Sequence, residues 1–178
     1  MSTTATQRQP PTAGETAPDF SLKSTNGETV SLADYRDKKH VLLAFFPLAF
    51  TSTCTAELCE FSEDFDRYAG EDLVVLPISV DSVPTLREFK SKYQLRTDLL
   101  SDFKRQATEA YGVMWQDAFY SNRAYFLIDK SGVVRWAHVE ANPGQKRSPE
   151  DILEQLSKLA LRGDRGADST RYSDSSHF

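Results

Sequence analysis

Two cysteines five positions apart, Cys54 and Cys59, are the residues of this sequence best suited to covalent chemistry. A cysteine thiolate is a strong nucleophile, and two cysteines can also cycle between a dithiol and a disulfide. The chain of 178 residues is long enough to bury a sizeable apolar core without cross-links, and it has no third cysteine. We therefore expect both thiols to be free for reaction.

Cys54 stands at the start of a predicted helix, Thr53–Ala69, which follows a predicted buried strand, His40–Phe46. Apolar residues recur at helical spacing along this helix: Leu58, Phe61, Phe65 and Tyr68. Cys54 lies four positions before Leu58 and therefore on the same, core-facing side. The unpaired N–H groups and the positive dipole end of a helix start favour a thiolate over a thiol.

A helix start alone is too weak to ionise a thiol fully at neutral pH. It contributes about 0.3–1 kcal/mol, and at best about 2 kcal/mol, whereas a fully populated thiolate requires about 3 kcal/mol. A cation from elsewhere in the chain must assist, because Glu57 and the other polar neighbours of Cys54 are acidic. Arg123 precedes a predicted strand, where sites are often built, but its position alone does not distinguish it from an arginine in a surface ion pair.

Cys59 has different surroundings on the predicted helix. It is rotated by about 100° from Leu58 and lies on a polar stripe with Glu63, which we expect to face solvent. In a continuous helix its Cα lies roughly 8 to 9 Å from that of Cys54, beyond the limit of about 7 Å for a disulfide. A bond between the two cysteines therefore requires the helix to unwind. The alternative is that Cys59 is an incidental exposed thiol.

Apolar, strand-like runs alternate with segments of helical period, which predicts an α/β domain. The predicted strands are His40–Phe46, Leu73–Val80, a short strand near Asp98–Leu100, and a hairpin of Tyr125–Ile128 and Val133–Val139. The predicted helices are Thr53–Ala69, Pro84–Tyr93, Lys104–Tyr111 and a last helix capped by Ser148. This order implies a central mixed sheet with helices on both faces. Pro77, inside the second strand, predicts a bulge or an edge position.

The periodic part of the sequence forms one domain, Pro18 to Leu161. Residues 1–17 are rich in Thr, Gln and Pro, and residues 162–178 are polar and aperiodic, so we expect two flexible tails. The first residues lack the apolar segment of a secretory signal. This favours a reducing cytoplasm, with an organellar targeting segment as the alternative.

Charge and composition argue against several classes of function. The net charge of −5 and the lack of a basic run argue against nucleic-acid binding. The longest apolar stretch, Val41–Phe50, is too short to span a bilayer. The histidines His40, His138 and His177 are scattered and give no zinc-ligand spacing with the cysteines, so we expect no metal site.

The cysteine segment resembles a known family. The pattern Pro47-x-x-x-Thr51-x-x-Cys54 is similar to the active-site signature of the peroxiredoxins. The second cysteine five positions later resembles the peroxiredoxin Q, or bacterioferritin comigratory protein, subgroup. The loop around Phe50 looks more like the one-cysteine, alkyl hydroperoxide reductase E-like branch. Further matches run through most of the domain: Ala17-Pro18-Asp19-Phe20, Phe45-Phe46-Pro47, Ile78-Ser79-Val80-Asp81, Leu100-Ser101-Asp102, Tyr111-Gly112-Val113, and Arg123 followed by Phe126-Leu127-Ile128-Asp129.

This resemblance implies a thioredoxin-like fold and a thiol-dependent peroxidase without a metal or organic cofactor. Cys54 would be the peroxidatic nucleophile that attacks a hydroperoxide. Thr51 and Arg123 would align the peroxide, and Pro47 would shield the thiolate from water. The sulfenic acid formed on Cys54 would condense with Cys59 to an intramolecular disulfide. Thioredoxin or a similar dithiol protein would reduce that disulfide, and the enzyme would be a monomer or a homodimer.

Three other functions stay open. Ser52-Thr53 stands where the two-cysteine subgroup usually has Pro-Gly, so a one-cysteine peroxiredoxin with an external thiol reductant is one alternative. A thioredoxin-like disulfide oxidoreductase is another, although the chain lacks a C-x-x-C motif and has no proline between Pro84 and Pro143 to act as the cis-proline of such enzymes. The third is a non-enzymatic redox sensor.

Thr51 is also consistent with a simple turn or cap residue.

Overall fold

Seven strands form one mixed sheet in this computed structural model, which describes residues 7–167 and the side chains as far as Leu159. The strands in chain order are β1 (Ser21–Ser24), β2 (Thr29–Ser31), β3 (His40–Phe45), β4 (Leu73–Ser79), β5 (Leu100–Ser101), β6 (Met114–Trp115), β7 (Tyr120–Ser121), β8 (Ala124–Ile128) and β9 (Val134–Val139). The sheet order is β2-β1-β5-β4-β3-β8-β9, and β6 pairs with β7 in a separate hairpin. The predicted mixed sheet is confirmed.

Helices cover both faces of this sheet, as the sequence predicts. They are α1 (Ser52–Glu63), α2 (Phe65–Gly70), α3 (Val83–Lys92), α4 (Gln106–Ala110) and α5 (Pro149–Ala167), with a 3₁₀ helix at Leu32–Tyr35. Successive residues of a strand point to opposite faces. In β3, Leu42 enters the apolar cluster that contains Leu58 of α1, and Leu43 enters the cluster that contains Ala107 of α4. The two clusters together bury the sheet.

The central strand β3 positions the cysteine segment. It pairs in parallel with β4 and antiparallel with β8, and its last residue, Phe45, lies opposite Ala124, the first residue of β8. The chain that leaves β3 towards Cys54 therefore starts beside Arg123, which immediately precedes β8. Two segments far apart in sequence meet at this end of the sheet.

The predicted helix Thr53–Ala69 is in fact two helices, α1 and α2. They separate at Asp64, whose φ of −89° and ψ of 10° leave the helical range. The bend keeps Tyr68 buried next to Phe61, but it turns Phe65 outwards, so that this ring is 37% exposed and lies under Arg96. The prediction that Phe65 faces the core is wrong. No glycine or proline marks the break, so the apolar spacing alone suggests an unbroken helix.

Pro77 lies in β4, which is neither bulged nor at the edge of the sheet. The prediction that Pro77 marks a bulge or an edge strand is therefore wrong. The register of β4 with β3 runs through Pro77 without a shift. The carbonyl of Ile78 points towards β3 and accepts from Phe46 N at 3.0 Å. Because the backbone polar groups of successive strand residues point to opposite sides, those of Pro77 point away from β3, towards β5. The neighbour on that flank, β5, pairs only with Ile78 and Ser79. The N–H that proline lacks is therefore not needed.

The segment predicted to be an N-terminal tail pairs with the domain. Gly14 N donates to Val134 O at 2.8 Å, and Ala17 N donates to Gly132 O at 2.9 Å. Composition does not show this pairing because it uses the backbone. The tail prediction is corrected for these residues, while residues 1–6 lie outside the described part of the chain.

The last helix begins where the sequence predicts and ends later. Ser148 and Asp151 form the expected reciprocal cap, in which Asp151 N donates to Ser148 Oγ and Ser148 N donates to Asp151 Oδ2. The helix continues to Ala167, beyond the predicted domain end at Leu161. The rest of the predicted C-terminal tail, residues 168–178, lies outside the described residues.

Candidate active site

Cys54 lies in the first turn of α1 and is only 1% exposed. Thr51 is the N-cap of this helix. Cys54 belongs to the same apolar cluster as Leu58 and Phe61, so the predicted placement on the core-facing side of a helix start is confirmed. A negative sulfur at this position benefits from the helix dipole.

The guanidinium of Arg123 contacts both Cys54 and Glu57. Its Nη2 donates to Cys54 Sγ at 3.1 Å, and its Nη1 donates to Glu57 Oε1 at 2.7 Å. Nη2 also donates to the carbonyl of Pro143 at 3.2 Å. Arg123 is itself only 1% exposed, and its Nε has no hydrogen-bond partner among the described residues. The site thus contains a fixed, buried guanidinium in contact with a buried thiol.

Burial and charge oppose each other in this ion pair. Burial raises the pKa of the Glu57 carboxyl, while Arg123 and the Tyr125 hydroxyl counteract that rise. Burial acts to lower the pKa of Arg123, but Glu57 and Cys54 outweigh it and raise the pKa above its ordinary value. Arg123 is therefore charged, and its charge is directed at the Cys54 sulfur.

Tyr125 and the loop after β9 belong to the same network, although neither was predicted from the sequence to be part of the site. The Tyr125 hydroxyl donates to Glu57 Oε2 and accepts from the backbone N of Arg147 at 3.0 Å. Tyr125 follows Arg123 by two positions, so both side chains extend from the same side of the chain. Two spacings in the sequence could have identified Tyr125: it lies two positions after Arg123, and Glu57 lies one helical turn after Cys54.

The loop between β3 and α1 holds the other predicted residues. Pro47 is buried. Thr51 is exposed, and its hydroxyl donates to the carbonyl of Leu48 at 2.7 Å. Among the described residues, no hydrogen bond joins Thr51 to Cys54 or Arg123. The Thr51 oxygen therefore keeps its acceptor lone pairs for another donor.

Phe50 gives this loop an unusual backbone, with a positive φ of 64°. Non-glycine residues rarely adopt this conformation, which requires support from the surroundings. Asp81, just after β4, provides such support because its Oδ2 accepts from the N–H of Ala49 at 2.8 Å. The Phe50 ring packs on Phe89, with ring centroids 5.1 Å apart.

Cys59 lies on α1 with Cys54, and the helix is unbroken between the two free thiols. It is half-buried against the apolar cluster, so the prediction that it faces solvent is only partly correct. Burial, followed by the charges of Glu63 and Glu60, raises the pKa of Cys59. The structure thus brings Cys54, Arg123 and Glu57 together and keeps Cys59 apart from them.

Within residues 7–167, no three potential metal-binding side chains of His, Cys, Asp or Glu cluster together. None of the helices described there is both long and apolar enough to cross a membrane.

Comparison with known proteins gives consistent matches. The sequence model described as the AhpC/TSA family matches residues 13–137. The chain is 40% identical to the alkyl hydroperoxide reductase E of Mycobacterium tuberculosis (strain ATCC 25618 / H37Rv) over 148 residues, which are 82% of this chain and 96% of that protein. It is 36% identical to the peroxiredoxin Bcp of Bacillus subtilis (strain 168) over 136 residues, which are 71% of this chain and 85% of that protein.

Solved structures extend the similarity to the fold. The reduced 2-Cys peroxiredoxin of Plasmodium vivax superposes with a TM-score of 0.81 at 30% identity, covering 88% of this chain and 86% of that one. The mitochondrial 2-Cys peroxiredoxin of Plasmodium falciparum superposes with a TM-score of 0.76 at 24% identity, covering 89% of this chain and 99% of that one. These neighbours confirm the predicted thioredoxin-like α/β fold.

Proposed function

Because the chain belongs to the AhpC/TSA family of peroxiredoxins, we propose specific roles for its two cysteines and their neighbours in peroxide reduction. The protein is a thiol-dependent peroxidase, as its relatives are named peroxiredoxins and alkyl hydroperoxide reductases. The observation that carries the assignment of roles is the contact of 3.1 Å between Arg123 Nη2 and Cys54 Sγ. The substrate is a hydroperoxide, either hydrogen peroxide or an organic hydroperoxide.

In the first step, the Cys54 thiolate attacks the terminal oxygen of the hydroperoxide. A sulfur–oxygen bond forms, the oxygen–oxygen bond breaks, and the leaving oxygen takes a proton to become water or an alcohol. The buried Arg123, whose Nη2 contacts the Cys54 sulfur, stabilises the negative charge that moves from sulfur to oxygen. The free lone pairs of Thr51 accept from the peroxide O–H, and Pro47 excludes water.

In the second step, Cys59 attacks the sulfenic sulfur of Cys54, and a disulfide and one water are formed. The helix must open first, because α1 holds the two cysteines apart. An external dithiol protein of the thioredoxin type then supplies two electrons and restores both thiols. A compartment that maintains such a reductant, namely the cytoplasm, fits this cycle. The protein acts as a monomer or a homodimer.

A second mechanism differs only in recycling. The intact helix and the raised pKa of Cys59 both disfavour rapid attack by this thiol. The Mycobacterium tuberculosis relative, alkyl hydroperoxide reductase E, also represents the branch that the Pro47–Thr51 loop resembles. In this mechanism Cys59 has no role, and an external thiol reduces the sulfenic acid of Cys54 directly.

Rapid-mixing oxidation followed by mass spectrometry tests both mechanisms. The reduced protein treated with one equivalent of peroxide is expected to become lighter by two hydrogens and to lose both free thiols. Cys54→Ser abolishes peroxide consumption in either mechanism, and retained turnover in that variant would overturn the proposal. Cys59→Ser should accumulate the sulfenic acid. A stable sulfenic acid in the unaltered protein would select the one-cysteine mechanism.

A further inference from the structure

We propose that Tyr125 is a positioning residue of the peroxidase site, which acts on Cys54 through Glu57 and Arg123. The inference rests on the proposed role of Cys54 and goes beyond it. It makes the site a connected chain of four side chains instead of a thiol beside an arginine. The chain ends at the backbone of Arg147, in the loop before α5.

Glu57 uses its two carboxylate oxygens for different partners. Oε1 accepts from Arg123 Nη1 at 2.7 Å, and Oε2 accepts from the Tyr125 hydroxyl. Since Arg123 uses its other terminal nitrogen for Cys54 Sγ, the orientation of Glu57 fixes the nitrogen that contacts the sulfur. Without Tyr125, one oxygen of a carboxylate that is 1% exposed would have no donor.

Tyr125 is held rigidly enough to orient Glu57. It lies in β8, which is paired on both sides, with Ala44 of β3 and His138 of β9 as its neighbours across the strands. The ring is fully buried and stacks on Trp136 with centroids 6.2 Å apart and an interplanar angle of 26°. The hydroxyl also accepts from Arg147 N, so its proton is directed at Glu57.

Tyr125 favours the charged form of Glu57. Burial favours the neutral carboxyl, and only a few groups favour the charged form: Arg123, Tyr125 and the more distant Lys146. The other titratable groups around this network are Cys54, one turn earlier on α1, and His138, whose ring lies 6.5 Å from that of Tyr125. Two ion pairs also lie nearby, Lys146 with Glu60 and Arg147 with Glu140. Removing the Tyr125 hydroxyl therefore leaves Glu57 easier to protonate, which weakens its hold on Arg123.

Tyr125→Phe tests the proposal, with Tyr111→Phe as the matched control. Tyr111 is equally buried, but its hydroxyl donates to the carbonyl of Pro18 and its ring belongs to the apolar cluster on the other face of the sheet. We expect Tyr125→Phe to slow oxidation of Cys54 by peroxide about tenfold at pH 7. In a plot of this rate against pH, the acid limb, where the rate falls as the pH is lowered, should shift to higher pH. Tyr111→Phe should change stability alone.

Two further measurements make the result decisive. In a Glu57→Gln background, Tyr125→Phe should add no further loss of rate, because both changes act on the same link. Replacing Tyr125 with 3-fluorotyrosine, a stronger hydrogen-bond donor that retains the ring, should shift the acid limb to lower pH. An unchanged rate profile in Tyr125→Phe, an equal shift in Tyr111→Phe, or full additivity with Glu57→Gln would overturn the inference. Peroxide consumption by Cys54→Ser would overturn the role of Cys54 instead.

Discussion

Arg123 and Glu57 form an ion pair that is almost fully removed from solvent, with 2.7 Å between Nη1 and Oε1 and both side chains 1% exposed. Burying two charges costs free energy that their mutual attraction often fails to recover. Such a pair contributes little as a device for stability. Its value lies in presenting the second guanidinium nitrogen to Cys54 Sγ in a fixed orientation.

Arg123→Met is expected to damage both activity and stability. The variant leaves the Glu57 carboxylate buried without a cation, which should lower the free energy of unfolding by about 3–5 kcal/mol. Oxidation of Cys54 by peroxide should slow at least a hundredfold. Adding Glu57→Gln to this variant should restore much of the stability but not the rate, as measured by urea denaturation and stopped-flow oxidation. Recovery of the rate in the double variant would show that Arg123 has only a structural role.

Thr51→Val is expected to slow the reaction with peroxide about tenfold or more, because valine cannot accept a hydrogen bond from the substrate. Thr51→Ser keeps the oxygen and should retain most of the rate. Thr55→Val is a suitable control, since the Thr55 hydroxyl donates to the carbonyl of Thr51 and to no other described group. Equal rates in Thr51→Val and Thr55→Val would limit the Thr51 hydroxyl to its hydrogen bond with the carbonyl of Leu48.

The reactivity of Cys59 should increase with pH. Its pKa is raised by burial and by Glu63 and Glu60, so the thiol form prevails at neutral pH and the nucleophilic thiolate appears only as the pH rises. Glu63→Gln should lower this pKa and accelerate disulfide formation at pH 7. The control is Glu71→Gln, which also removes one negative charge, but at an exposed position at the end of α2. A rate of disulfide formation that is independent of pH would contradict this prediction.

Asp81→Ala should release the loop that carries Pro47 and Thr51. The substitution removes the acceptor for Ala49 N, which stabilises the left-handed backbone at Phe50. We expect the rate of Cys54 oxidation to fall about tenfold, with a change of about 1–2 kcal/mol in unfolding free energy. Ser79→Ala removes a different hydrogen bond to the same Asp81 oxygen and should leave the rate nearly unchanged. Comparable losses in both variants would argue against a role for the loop contact.

Features set by neighbouring residues could be predicted from the sequence. The strand His40–Phe45, the position of Cys54 in the first helical turn and the cap formed by Ser148 and Asp151 each depend on side chains within a few positions. The break between α1 and α2 was not predictable, because Asp64 is compatible with a continuous helix. Local rules cannot distinguish a bend that tertiary packing imposes.

The site itself required information from distant residues. Arg123 and Cys54 are 69 positions apart, and in the sequence only the family resemblance distinguishes Arg123 from the other arginines. For Tyr125 the sequence offers only its two-residue spacing from Arg123, which is a weak signal because a tyrosine in a buried strand is ordinary core material. The Arg147 backbone gives no sequence signal. The place of Tyr125 in the network depends on the register of β8 against β3, whereas that of Arg147 depends on the loop between β9 and α5.

The pairing of the N-terminal segment with β9 has a consequence for the assembly of the chain. β9 is one of the two edge strands of the sheet, and an uncovered strand edge is a template for association with another chain. Residues 14–17 occupy the first part of this edge, at Gly132 to Val134. A shortened protein that begins at Pro18 would keep the chemistry of Cys54 but expose this edge, and we expect it to aggregate during refolding at high concentration.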